Sequence, residues 1–175
     1  AAKSHEKILQ EFKDRRADIL LGTQMVTKGL DFENVTLVGV LSADKSLYVN
    51  DYRARERTFS MITQVVGRAG RGDKPGRAVI QTFTPDNPVI VLASQQDYDG
   101  FYSNEIAIRR TMHMPPFSSL FTITASGITE TDVLRACARV KAALTGYLGG
   151  EDIKILGPAP ALVTKINNRF RYRIT

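Results

Sequence analysis

The run "NVTLVGVLSAD", residues 34–44, limits the fold more than any other stretch. Its β-branched and aliphatic residues follow one another without the polar alternation of a half-solvated strand. At this length it reads as a strand covered on both faces, which is the habit of parallel sheets. Parallel neighbours need a crossover, usually a helix. The sequence supplies one: Phe59, Ile62, Val65 and Val66 recur at helical spacing, and "RAVIQTF" follows as another strand. Upstream, "ADILLGT" reads as a short buried strand ending on Gly22, and Ser4 as the N-cap of a helix whose Ile8, Leu9 and Phe12 share a face. The alternation predicts an α/β layer with a mostly parallel sheet.

After "TPDNP" the pattern changes. Residues Val89 to Met112 read as one or two helices, and "MPPF" interrupts because Pro115 and Pro116 cannot continue a helix. "SSLFTITASG", "TETDVLRACARVKAALTGYL", "DIKILG" and "RFRYRIT" then read as strand, helix, strand and strand. This βαββ pattern predicts a second, smaller α+β domain, with the boundary near Tyr98 and hence domains at 1–97 and 98–175. The opening helix and the final "RYRIT", which stops in mid-strand, read as the ends of a piece of something longer.

Charge and cysteine content narrow the function classes. A net charge of +6 and a pI near 9.6 favour an acidic partner. Cys137 is the only cysteine, which excludes a disulfide framework or a cysteine-rich zinc site within the chain and suits a reducing cytoplasm. Beside Leu134 on its helix, Cys137 reads as a core residue. His113 and His5 lie far apart, so no metal site is expected. The longest apolar runs are too short to span a bilayer, and "AAKSHEKILQ" lacks the apolar core of a signal peptide.

Three stretches carry candidate chemistry. In "QVVGRAGRG", Arg68 and Arg71 stand three apart among Gly67, Gly70 and Gly72, with Gln64 four residues before Arg68. Glycine weakens a helix by about 1 kcal/mol relative to alanine, so three of them need another reason. If the helix continues, the three polar side chains share a face. A single arginine here would be a solvated surface residue; two with a glutamine, between small residues that allow close approach, suit a polyphosphate. "GTQMVTKGLDFENV" begins at the C-terminal end of an expected strand, where ligands of open α/β sheets bind. Thr23 offers a hydroxyl, Gly22 and Gly29 allow close approach, and Asp31 can accept from a ribose or an arginine; a tight turn capped by Asp31 explains the same residues. In the tail, Arg169, Arg171 and Arg173 alternate with Phe170, Tyr172 and Ile174, so a strand puts all three guanidinium groups on one face, which Lys165 could extend. The face reads either as a phosphate-contacting surface or as an edge strand kept unpaired by charge.

"GTQMVTKGLDFENV" and "QVVGRAGRG" resemble motifs V and VI of superfamily 2 helicases, in the right order and at the right separation for the second RecA-like lobe. With "DYRARERTFSMITQV", "MPPFSSL" and "ILGPAPALVTKINNRFRYRI", the resemblance narrows to the bacterial primosomal helicases that restart replication, and it covers nearly the whole chain. It implies a P-loop-NTPase-type lobe followed by a DNA-binding C-terminal domain, in an ATP-dependent 3′→5′ DNA helicase acting at stalled forks. It further implies that Arg71 is an arginine finger, Arg68 a second γ-phosphate contact and Gln64 a hydrogen-bonding partner in the nucleotide site. By the same resemblance Gly29 and Asp31 form the motif V nucleotide edge, and Thr23 touches the DNA backbone. Glu33 departs from the proline of many relatives, a small change of loop stiffness. The family's phosphate-binding loop, its acidic magnesium-binding motif and its zinc-binding cysteines have no counterpart here. ATP, Mg2+ and zinc are thus expected only in the parent protein, and the chain alone is expected to be inactive.

The resemblance also implies single-stranded-DNA-binding protein and other primosome proteins as partners besides DNA. Two other classes compete with the motor reading. One is a stand-alone DNA-fork or single-strand-binding module in which the first domain is only a scaffold. The other is a protein-interaction module, in which "YDGFYSNEIAIRRTM" receives an acidic peptide. Only the motor explains both motifs together.

Overall fold

A computed structural model describes residues 2–23, 32, 35–67, 69, 75–148 and 152–175. The chain divides into two compact units, Ala1–Ile108 and Arg109–Thr175.

In the first unit β1 (Leu37–Val40) and β2 (Arg77–Ile80) pair in parallel, Leu37 opposite Arg77 and Val40 opposite Ile80. Between them the chain runs through the short α2 (Asp44–Leu47) and the crossover helix α3 (Ala54–Val66). The apolar stripe read from the sequence is what α3 buries: Phe59, Ile62 and Val65 meet Val40, Leu47, Val89 and Ile90 in one core. Thr58, also fully buried, bonds back to the Ala54 carbonyl at 2.8 Å and across to the Ser46 hydroxyl at 3.0 Å, which ties α3 to α2. Val89 to Met112 resolves into two helices, α4 (Pro88–Ser94) and α5 (Tyr98–Thr111). Asn87 caps α4 by accepting from the Val89 N–H at 3.0 Å, and Pro88 occupies the first position, where a missing N–H costs nothing.

Four features differ from the sequence reading. α1 (Ala2–Lys13) starts ahead of Ser4, which therefore lies within the helix and does not cap it. Residues 17–23 form no strand, and Ile19 and Leu21 are 85% and 83% exposed. Among the described residues the sheet has only β1 and β2, and "ADILLGT" pairs with neither. The division between units falls at Ile108, ten residues beyond Tyr98, because the first part of α5 belongs to the first core. There Phe101 stacks on Phe59 with centroids 4.1 Å apart, and the buried Glu105 carboxylate accepts from Arg55 Nε at 2.8 Å. The fourth concerns "DIKILG": residues 152–157 lie in no strand, although Leu156 and Thr175 exchange backbone hydrogen bonds of 2.7 and 3.0 Å.

The second unit keeps the expected βαββ order with that one substitution: β3 (Ile123–Gly127), α6 (Glu130–Leu148), β4 (Ala159–Ile166) and β5 (Arg169–Ile174). Its sheet runs β3-β5-β4, antiparallel throughout, with the terminal strand in the middle. β4 contains Pro160, which a sheet tolerates because β4 is an edge strand. Asn167 and Asn168, at φ 48° and 59°, form the two-residue turn between β4 and β5, a type I′ geometry that fits the twist of a hairpin. α6 covers one face of the sheet with Val133 and Cys137, both buried. Gly127 is required there, since a Cβ would sit 2.8 Å from Val133 Cγ2.

Candidate functional site

Gly29, Asp31, Arg68 and Arg71 lie outside the described residues. Gln64 is exposed in the last turn of α3, and Thr23 is exposed in a bend. α3 ends at Val66, and the Gly67 N–H bonds to the Thr63 carbonyl at 3.0 Å.

A group that the sequence reading missed lies where β1 and β2 end. Asp44 opens α2, which follows β1 after Leu41, Ser42 and Ala43, and its carboxylate reaches across to the segment leaving β2. Oδ1 accepts from the Thr82 hydroxyl at 2.9 Å and the Thr84 hydroxyl at 3.0 Å; Oδ2 accepts from the Phe83 N–H at 3.0 Å. The Tyr48 hydroxyl adds a bond to Thr84 Oγ1 at 3.3 Å. Partial burial pulls the Asp44 carboxyl upward, but the bonds from Phe83, Thr82 and Thr84 together outweigh it and hold the group below its ordinary value. No local sequence pattern signals the group, because Asp44 and its partners leave different strands.

In the second unit the tail arginines stand on the central strand, not on an edge. Arg173 pairs with Thr124, Arg171 with Ser126, and Tyr172 with Ala125. Residues directly opposite share a face, so the three arginines and the two hydroxyl residues line the side away from α6. Tyr172 points the other way, and its hydroxyl donates to Glu130 at the start of α6; that bond, with partial burial and the nearby charge of Glu130, raises the phenol above its ordinary value. Arg169 is held by a 3.2 Å bond to the Ser126 carbonyl. None of the three strands contains an acidic residue, and among the described residues no carboxylate pairs with Arg169, Arg171 or Arg173. The result is a row of guanidinium groups at every second position, about 7 Å apart along the strand. Lys165 does not extend it. The hairpin register sets Lys165 opposite Phe170, and its ammonium lies 4.4 Å from the centre of that ring, on the aromatic face.

Among the described residues no group of three or more His, Cys, Asp or Glu side chains is placed to hold a metal ion, and no helix is long and apolar enough to cross a membrane.

Two family models match the chain in sequence order. The helicase conserved C-terminal domain matches residues 1–73, and the primosomal protein N C-terminal domain matches residues 110–175. Among curated proteins, "Replication restart protein PriA" of Bacillus subtilis is 46% identical over 97% of this chain and 21% of its own length. Its namesakes in Synechocystis and Rickettsia felis are each 42% identical, over 98% and 99% of this chain and 20% and 26% of their own lengths. The chain thus spans about a fifth to about a quarter of the length of these relatives. With a helicase model on the half that holds "QVVGRAGRG" and a primosomal one on the half that holds the arginine row, the chain belongs to the PriA family of replication restart proteins.

Proposed function

We propose that this chain is the latter part of the second RecA-like lobe, together with much of the C-terminal domain, of an ATP-dependent 3′→5′ DNA helicase. The parent engages stalled replication forks and restarts replication. The observation that carries this reading is the match of nearly the entire chain to replication restart proteins, with a helicase model over the span that holds both motifs.

On this reading Arg71 reaches the γ-phosphate as charge develops on it, Arg68 makes a second contact and Gln64 completes the polar set. Gly29 and Asp31 form the nucleotide edge, and Thr23 contacts the DNA backbone. An arginine supplied at that moment is worth about 10³ to 10⁵ in rate. ATP and Mg2+ are held chiefly by residues outside this chain, as is the zinc of the parent, so the chain alone neither hydrolyses ATP nor unwinds DNA. The row of Arg169, Arg171 and Arg173, unopposed by any acid on its sheet, suits a nucleic-acid backbone. Partners are then DNA, other primosome proteins and single-stranded-DNA-binding protein, in the cytoplasm.

The test is Arg71→Ala in a full-length helicase containing this sequence. DNA-stimulated ATP hydrolysis is expected to fall by about 10³-fold or more while DNA affinity is kept. Hydrolysis that survives the change would show the arginine to be structural or DNA-facing.

A further inference from the structure

The function above uses the three tail arginines and leaves the column of hydroxyls beside them unused. On β3, Thr124 and Ser126 stand directly opposite Arg173 and Arg171, on the face away from α6. Both hydroxyl residues are exposed, and the two arginines are half-buried. Among the described residues none of these four side chains makes a hydrogen bond or an ion pair. Two rungs of one ladder thus each carry an open guanidinium and an open hydroxyl, with Cβ atoms about 5 Å apart. The rungs on either side are different. Next along the same face, the hydroxyls of Thr122 and Thr175 bond to each other at 3.3 Å. At the other end Arg169 already donates to the Ser126 carbonyl at 3.2 Å, and Ile128, two residues beyond Ser126, brings no hydroxyl.

Open donors on a sheet whose strands contain no acid call for an anion, and the topology separates the kinds. An extended acidic peptide joins a sheet along a free strand edge, where main-chain hydrogen bonds supply affinity. β5 lies between β3 and β4 with both its ladders taken, so a ligand above it meets side chains alone. Arginine with serine or threonine is a donor set that grips the phosphates of nucleic-acid backbones. The spacing fits as well. The two open rungs are two residues apart, about 7 Å along the strand. In a duplex the rise per phosphate of one strand is about 3.4 Å, and the winding of the backbone roughly doubles the direct gap between neighbours. Resting on the reading that this face meets nucleic acid, we propose that the two open rungs hold two neighbouring phosphates of one backbone. Arg171 and Ser126 share one phosphate, and Arg173 and Thr124 share the next. Arg169 adds charge beside them without a hydroxyl opposite.

The experiment measures binding of a full-length helicase containing this sequence to labelled oligothymidine and to a blunt duplex, across a salt series and without nucleotide. Thr124→Val and Ser126→Ala should each weaken binding about 2- to 10-fold and leave the salt slope unchanged, because a hydroxyl displaces no counterion. Thr124→Ser should keep the affinity. Arg171→Gln should weaken binding and also make the slope on single strands shallower by about 0.7. The pairing gives the sharper readout. Ser126→Ala should cost less in an Arg171→Gln background than in an Arg173→Gln one, and Thr124→Val the reverse. Loss on either probe supports the inference and says which form of nucleic acid supplies the backbone. Wild-type affinity of both hydroxyl variants on both probes would overturn it, and so would equal coupling of Ser126 to the two arginines. A lowered melting temperature of Arg171→Gln without DNA, with binding intact, would assign the row to an acidic segment of the parent and overturn it as well. If the arginine variants change the slope while the hydroxyl variants bind normally, the shared phosphates fall and the cationic face stands. If neither set has an effect, both fall, and the Arg71 test is untouched in every case.

Discussion

The two units share one plan, a sheet with helices on one face, and differ in what they leave uncovered. In the first, Val38, Val40, Ala78 and Ile80 turn inward towards the helices, while Leu37 and Val79 on the opposite face are 62% and 44% exposed. In the second, the face away from α6 carries Arg169, Arg171 and Arg173 beside Thr124 and Ser126. The first uncovered face is apolar apart from Arg77 at its edge, as in the parallel sheets that proteins normally cover on both sides. The second is built to meet water and anions. The side chains of an open sheet face set the chemistry it can meet, and a row of guanidinium groups suits an anion.

If that contrast is right, the first unit should draw its stability from the covered face. Ile62, fully buried in α3, should cost about 2–5 kcal/mol as Ile62→Ala in denaturant unfolding, whereas Val79→Ala on the open face should cost clearly less. Equal losses would mean that the open face is packed in the working protein. In the second unit the covered face is the tight one. Gly127→Ala, which forces a methyl to within 2.8 Å of Val133 Cγ2, should lower stability by about 1–3 kcal/mol, against little change for Ser126→Ala on the cationic face. A smaller effect separates the two faces of β5 by pH. The Tyr172 phenol is raised in the folded state, so its contribution is fully present below its unfolded value near 10 and is lost as pH climbs through the higher folded value. Tyr172→Phe should therefore show a shallower loss of stability above about pH 10; an unchanged slope would remove Glu130 from the account.

Much of this was legible in the sequence, and what was not has physical reasons. β1, β2, α3 and α6 announce themselves by period, and "RFRYRIT" by alternation. β4 was not among the expected strands, and it carries Pro160, which only its place at the sheet edge makes acceptable. "ADILLGT" has the composition of a strand, but composition cannot supply a neighbour. Lys165 looked aligned with the arginines until the Asn167–Asn168 turn fixed the register and set it with Phe170. The Asp44 knot was out of reach for a different reason: its partners lie 38 to 40 residues away, and no local pattern joins them.

The measurement that tests the account most directly is the salt dependence of single-strand binding by a full-length helicase in which Arg169, Arg171 and Arg173 are all changed to glutamine. Three lost phosphate contacts should make the slope of log affinity against log salt shallower by about 2, with affinity reduced at low salt. A slope and affinity equal to those of the unmodified protein would show that the arginine row does not hold nucleic acid and would contradict the account.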